Sequence, residues 1–242
     1  LLRFAHFLLP HHPWDLTPRE AVVLQKSLAG KVVTADDFNE VRFVAGIDVG
    51  WRKGEEKARA AVAVLSFPEL ELADWAVAEK ELCFPYVPGL LSFREAPAAL
   101  AALARLRVRP DLLLCDGQGR AHPRRFGLAC HLGLLTGLPA VGVAKSRLCG
   151  TFGPLPEEKG NWVPLTDRGE IIGSVVRTRT GIKPLFISAG HRISLEKARD
   201  FVLRCVTRYR LPETTRWAHR IASEDFQPKD LNDSSKELSH GR

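Results

Sequence analysis

The stretch "LLLCDGQGRAHPRRFGLACHLG" (residues 112–133) decides how the chain folds. Its start, with Asp111 before it, is a short continuous apolar run, the pattern of a strand buried on both faces. The run stops at Asp116, and glycines follow at 117 and 119. Pro123 at the head of residues 123–137 predicts a helix. Residues 139–146, "PAVGVAKS", read as another buried strand. A strand beside a parallel neighbour in an α/β sheet offers its carboxyl end as a ligand site, so Asp116 stands where a site is expected.

Outward from this unit the pattern is equally regular. Residues 41–49 ("VRFVAGIDV"), 60–67 and 70–82 read as three strands with short linkers, an antiparallel meander. Thr17-Pro18-Arg19-Glu20 is a capping box with Pro at the first helical position, so a helix should run to about Leu28 and end at Gly30. Residues 92–106 form a second helix, with a kink at Pro97 or a late start near Glu95. Strands are predicted over 170–178 and 184–188, and helices over 194–209 and 213–222. The fold class is therefore α/β, a mixed sheet of an antiparallel meander plus parallel strands, flanked by helices. One domain is expected over residues 1–222, with 223–242 a polar, disordered tail. The apolar start, residues 1–10, reads as a strand or docking segment, with a trimmed signal remnant as the alternative.

The 242 residues are 45% hydrophobic, enough for a sizeable core, and 35 Lys and Arg against 28 Asp and Glu leave a net charge of +7. That balance suits an anionic partner such as nucleic acid. Five cysteines without a C-x-x-C pair read as reduced thiols of a cytoplasmic protein. No segment reaches the ~20 apolar residues of a membrane span.

Asp48 and Asp116 each end an apolar run and are each followed by glycine within two residues. On adjacent parallel strands they would meet at one sheet edge. There they would repel unless protonated or bridged by a cation such as Mg²⁺ or Mn²⁺. The residues alone leave open whether each aspartate instead caps a turn. Glu95 is a third candidate acid, although Ser92-x-x-Glu95 also matches a capping box. His122 reads as a turn residue before Pro123, and His131 as a satisfied histidine on a helix face.

Six blocks in order carry a resemblance: "AGIDVG" (45–50), "FPYVPGLLSFRE" (84–95), "DGQGRAHPRRFGLACHLG" (116–133), "GVAKSRLCGTF" (142–152), "SAGHRISL" (188–195) and "LPETTRWAHR" (211–220). Together they resemble the endonuclease V family of deoxyinosine 3′-endonucleases. The resemblance implies a ribonuclease H-like fold and Mg²⁺-dependent hydrolysis of deoxyinosine-containing DNA, with Mn²⁺ as a substitute. The nick is implied at the second phosphodiester 3′ to the lesion, leaving a 3′-hydroxyl and a 5′-phosphate. It implies Asp48 and Asp116 as metal ligands and Glu95 as the third catalytic acid. It makes Lys145 the lysine at the scissile phosphate and His219 a histidine at the site's edge. Tyr86 matches the wedge that fills the gap left by a flipped base. Gly89, Leu91, Gly117, Gly119 and Leu128 match the lining of the base pocket, with His122 beside them. Many members have Ser and an aromatic after the first aspartate, where this chain has Gly50-Trp51. A monomer is expected. The alternatives are an endoribonuclease acting on inosine-containing RNA, a non-catalytic basic DNA-binding module and a small-molecule phosphatase. The presence of all three acids argues against the second, the wedge loop and the positive charge against the third.

Overall fold

The computed structural model describes residues 12–51 and 56–223. The apolar start over residues 1–10 and the expected tail, from residue 224 on, lie outside them. In chain order the elements are α1 (Pro18–Ala29), β1 (Phe43–Gly50), β2 (Lys57–Ser66), β3 (Leu72–Glu81), α2 (Leu91–Leu103), β4 (Leu112–Cys115), α3 (Leu128–Thr136), β5 (Ala140–Ala144), β6 (Trp162–Asp167), β7 (Glu170–Val176), β8 (Leu185–His191), α4 (Leu195–Arg204) and α5 (Glu213–Ala222).

The strands form one sheet in the order β3-β2-β1-β4-β5-β8-β7-β6. β1, β2 and β3 are the expected antiparallel meander. β4 lies parallel to both β1 and β5, while β8 and β7 continue antiparallel. α1 starts as the sequence predicts, with Thr17 and Glu20 closing a reciprocal capping box.

Each face of the sheet carries its own core. Side chains alternate along a strand, so Leu112 and Leu114 join one core and Leu113 and Cys115 the other. α4 and α5 cover the first face through Phe201, Val202, Trp217 and Ile221. α2 and α3 cover the second through small and apolar residues such as Ala96, Ala99, Leu128 and Leu132.

Four elements differ from the sequence expectation. α2 begins at Leu91 and runs on through Pro97. Ser92 therefore lies inside the helix and caps nothing. Its hydroxyl is buried against His131 Nδ1 at 3.1 Å, so the Ser92–Glu95 capping box does not form. α3 begins at Leu128 rather than Pro123. Residues 122–127 turn instead, because Arg125, at φ 57°, is drawn to Asp167 (2.9 Å) and Glu170 (2.6 Å) of the β6–β7 hairpin. β6 lies in a stretch that carried no strand expectation; its Pro164 is tolerated because β6 is the outermost strand. Arg168 and Gly169, both at positive φ, make its tight turn into β7. α4 stops at Arg204, and the buried Cys205 turns the chain, accepting a bond from Glu213 N–H at 2.8 Å.

α5 lies unusually close to β1. A Cβ added to Gly46 would overlap the Thr214 carbonyl and sit 2.6 Å from Thr215 N. Backbone has little room to yield, so Gly46→Ala should push α5 off the sheet. The expected loss is about 3 kcal/mol, which lowers Tm by roughly 6–12 °C for a chain of this size. Thermal unfolding of the variant checks this, and an unchanged Tm would contradict the contact.

Candidate active site

The centre is built at the carboxyl ends of the parallel strands. Ile47 pairs with Cys115 in the β1–β4 ladder, and Asp116 N–H donates to Ile47 O at 2.9 Å. The next residue on each strand is an aspartate, so sheet register sets Asp48 beside Asp116. Both side chains are mostly shielded, at 15% and 16% exposure. Each carboxylate meets a cationic or polar partner from a different element. Lys145, just after β5, places its ammonium on Asp116 Oδ2. His219 on α5 reaches Asp48, Nδ1 to Oδ2 at 2.9 Å.

Glu95 enters from α2, on the opposite face, and is buried. Burial, followed by the negative charges of Asp48 and Asp116, pushes its carboxyl up to about 8. Burial also raises Asp116, with Lys145 acting against it. The five expected catalytic residues thus come together at one sheet edge.

The expected base-side residues divide. Tyr86 is 65% exposed, in the loop before α2, with its ring 6.3 Å from that of Trp51. Leu91 is exposed at the first turn of α2. Gly89 touches His122 and Arg124, and its carbonyl accepts from His122 Nε2 at 3.0 Å. Arg124 N–H donates to His122 Nδ1 at 3.1 Å, so the proton sits on Nε2. Burial, with Arg124 beside it, holds that imidazole down at about 4, and it is neutral at pH 7. Gly117 faces the Leu128 side chain at ordinary contact distance. Gly119 is instead buried against β8, where an added Cβ would lie 3.0 Å from Ser188 O. Its bareness serves packing there. His131 is buried away from the centre, 2.7 Å from His12 Nε2.

Two arginines flank the centre that sequence reasoning passed over. Arg94 lies over Trp51 at 4.9 Å and donates to Phe84 O at 2.7 Å, bracing the tyrosine loop. Arg210 donates from Nη2 to Lys145 O and Pro184 O, each at 2.7 Å, and fixes the backbone that presents the lysine. Their positions next to Glu95 and before "LPETTRWAHR" were the only available signals.

Among the described residues no three His, Cys, Asp or Glu side chains stand as a ready metal cage. The donor chemistry nevertheless fits a hard dication. Asp48 and Asp116 supply oxygen ligands, and burial, with the neighbouring carboxylates, raises Glu95 and Asp116, so ionising all three acids there is unfavourable without added positive charge.

Carboxylates gathered at the ends of parallel strands, with an ammonium against one of them, are equipment for phosphodiester chemistry, and the sheet is ribonuclease H-like. The class is that of a nuclease. The family model for endonuclease V matches residues 26–220. An endonuclease V of Roseiflexus castenholzii is 55% identical over 218 residues, 90% of this chain and 97% of the relative. The crystal structure of endonuclease V from Streptomyces avermitilis aligns with a TM-score of 0.83 at 40% identity, over 92% of this chain and 96% of that one. A Ciona intestinalis endonuclease V, solved with a 24mer DNA containing an inosine followed by a ribo-adenosine, aligns at 0.73 and 30% identity, over 89% and 98%. The chain belongs to the endonuclease V family.

The Glu95 carboxyl has a measurable consequence. The folded chain keeps this proton up to about pH 8, whereas the unfolded chain loses it near the ordinary 4.5. Its contribution to stability is thus complete below 4.5 and is lost as pH rises through 8. In chelator, Glu95→Gln should be neutral in acid and increasingly stabilising from pH 5 to pH 8. Urea unfolding of both proteins across that range checks it, and parallel stability curves would contradict it.

Proposed function

We propose that the chain is a metal-dependent endonuclease of DNA repair that recognises deoxyinosine and hydrolyses the second phosphodiester bond on its 3′ side. The observation that carries this is the Ile47–Cys115 pairing that is followed on each chain segment by an aspartate, Asp48 and Asp116, with Lys145 on one and His219 on the other. Asp48 and Asp116 would hold the cation, Mg²⁺ with Mn²⁺ as its substitute. When bound it supplies charge neutralisation on the phosphate and a water of lowered pKa. Water oxygen bonds to phosphorus as the P–O3′ bond breaks, and a proton given up by that water ends on the departing O3′, leaving a 3′-hydroxyl and a 5′-phosphate.

This chain's own groups do the rest. The Lys145 ammonium, held against Asp116, would face the negative charge that grows on the phosphate and so favour the transition state over the ground state. His219 Nδ1 orients the Asp48 carboxylate. Glu95 adds a third carboxyl whose proton is released as counter-charge arrives. A base inside a duplex must be flipped out to be inspected, at a cost of a few kcal/mol in lost stacking. Tyr86 would fill the gap; its 65% exposure and the backing of Trp51 and Arg94 support this. Gly89, Leu91, Gly117, His122 and Leu128 would line the base site, with Gly119 holding its loop against β8. Inosine in RNA is a second substrate reading, favoured by the ribo-adenosine beside the inosine in the Ciona complex. A monomeric, cytoplasmic enzyme belongs to the same proposal; among the described residues no helix is long and apolar enough to cross a membrane.

The test is cleavage of matched DNA and RNA oligonucleotides, each with a single inosine, with Mg²⁺ and with chelator. Nicking of inosine-DNA in Mg²⁺ alone is expected. Asp116→Asn should abolish both nicking and Mg²⁺ affinity while the fold survives, and near-normal cleavage by it would sink the metal assignment. Tyr86→Ala should weaken binding of inosine duplex by about 1–3 kcal/mol, the worth of a base–aromatic stack, with little effect on undamaged duplex. Equal losses on both would make Tyr86 a packing residue.

A further inference from the structure

We infer that Gln25 is a positioning residue that ties together the two loops around the flipped base and so sets selectivity for it. The inference rests on the reading of inosine recognition above. α1 buries only Ala21 and Gln25. A buried amide is costly unless its hydrogen bonds are made. Gln25 makes them to two different loops. Its Nε2 donates to Gly89 O at 3.0 Å and to Phe126 O at 2.7 Å, and its Oε1 accepts from Arg124 Nε. Gly89 closes the loop that carries Tyr86. Phe126 lies in the stretch from Gly117 to Leu128.

The Gly89 carbonyl is the knot. Besides Gln25 it accepts from His122 Nε2 at 3.0 Å and Arg124 Nη2 at 2.7 Å, three donors on one oxygen. Gly89 holds φ 79°, a conformation that favours glycine, and a Cβ there would sit 2.6 Å from Arg124 Nη2 and push that guanidinium aside. Leu90 N–H donates to Val87 O at 2.9 Å, closing a turn between Tyr86 and the knot. Displacing Gly89 therefore displaces the wedge relative to the other wall of the base site.

Docking of α1 does not explain the amide. Ala21, with Trp14, Leu16, Val22 and Leu24, already packs on Phe84, Leu90 and Phe93. An apolar side chain at position 25 would serve that purpose as well. Only the ties between loops need a donor pair and an acceptor on one side chain.

The test uses the full chain with Gln25→Met, which keeps volume and loses every tie. Gln25→Glu serves beside it, keeping the acceptor for Arg124 and losing both donors. Binding is measured in Ca²⁺ to duplexes with and without one inosine, alongside Tm and the single-turnover rate at saturating enzyme. Gln25→Met should keep Tm within a few degrees. It should bind inosine duplex about tenfold more weakly, the scale of one or two lost hydrogen bonds. Undamaged duplex should bind as before. In a Tyr86→Ala background the same change should cost nothing further, because both act through one loop. Unchanged selectivity, equal loss on both duplexes, or failure of both variants to fold would make Gln25 a docking residue and overturn the inference. If the unmodified chain does not distinguish inosine, the functional reading fails instead.

Discussion

Like charges cannot share a sheet edge without counter-charge, and β1 and β4 force two of them to share one. Parallel pairing carries Ile47 beside Cys115, and the next residue on each strand is an aspartate. The strands cannot slip to relieve the repulsion. A slip of one residue would turn Leu112, Leu113 and Leu114 to the wrong cores. Apolar packing on both faces therefore holds the carboxylates in place. The surrounding elements answer that charge, with Lys145 delivered by β5 and His219 by α5.

The two faces contribute differently. On one, Gly46 lets α5 approach the backbone of β1, and only this closeness brings His219 within 2.9 Å of Asp48. On the other, the alanine-rich face of α2 lies close on the sheet, and Glu95 is carried into the same cluster. The cost of burying its charge appears as a carboxyl raised to about 8. At neutral pH the group avoids that cost by keeping its proton, so a cation arriving beside it has to displace the proton first.

Much of this was legible in the sequence where one local rule governs. The buried β4, the meander and the capping box of α1 follow from periodicity and cap chemistry. Asp48 and Asp116 were visible as strand-end acids, and their pairing needed only the β1–β4 adjacency. The rest depended on tertiary partners. Ser92 had the spacing of a cap but was taken by His131. Pro123 had the look of a helix start, but Arg125 was drawn to Asp167 and Glu170 on a distant hairpin. The stretch of β6, with Pro164 inside it, raised no strand expectation. Gln25 sits in a helix that reads as a surface element, and nothing local distinguishes its amide from a solvated one. Gly119 was matched to the pocket through the resemblance alone, and its bare face is turned to β8.

The two outermost strands have a bearing on how chains behave when crowded. An open sheet edge is a template for another strand, the route to intermolecular β-stacking. β6 contains Pro164, which has no N–H to offer, and Thr151 already bridges Thr166 by two backbone hydrogen bonds of 2.7 and 2.8 Å. At the opposite end β3 finishes in exposed Glu79, Lys80 and Glu81, of which the two glutamates are salt-bridged to Arg59 and Lys57 of β2. A second chain would have to strip water from those charges before it could add a strand. Between them, a missing donor, a bridging threonine and a row of charges leave the eight-stranded sheet few free groups with which to take a ninth strand.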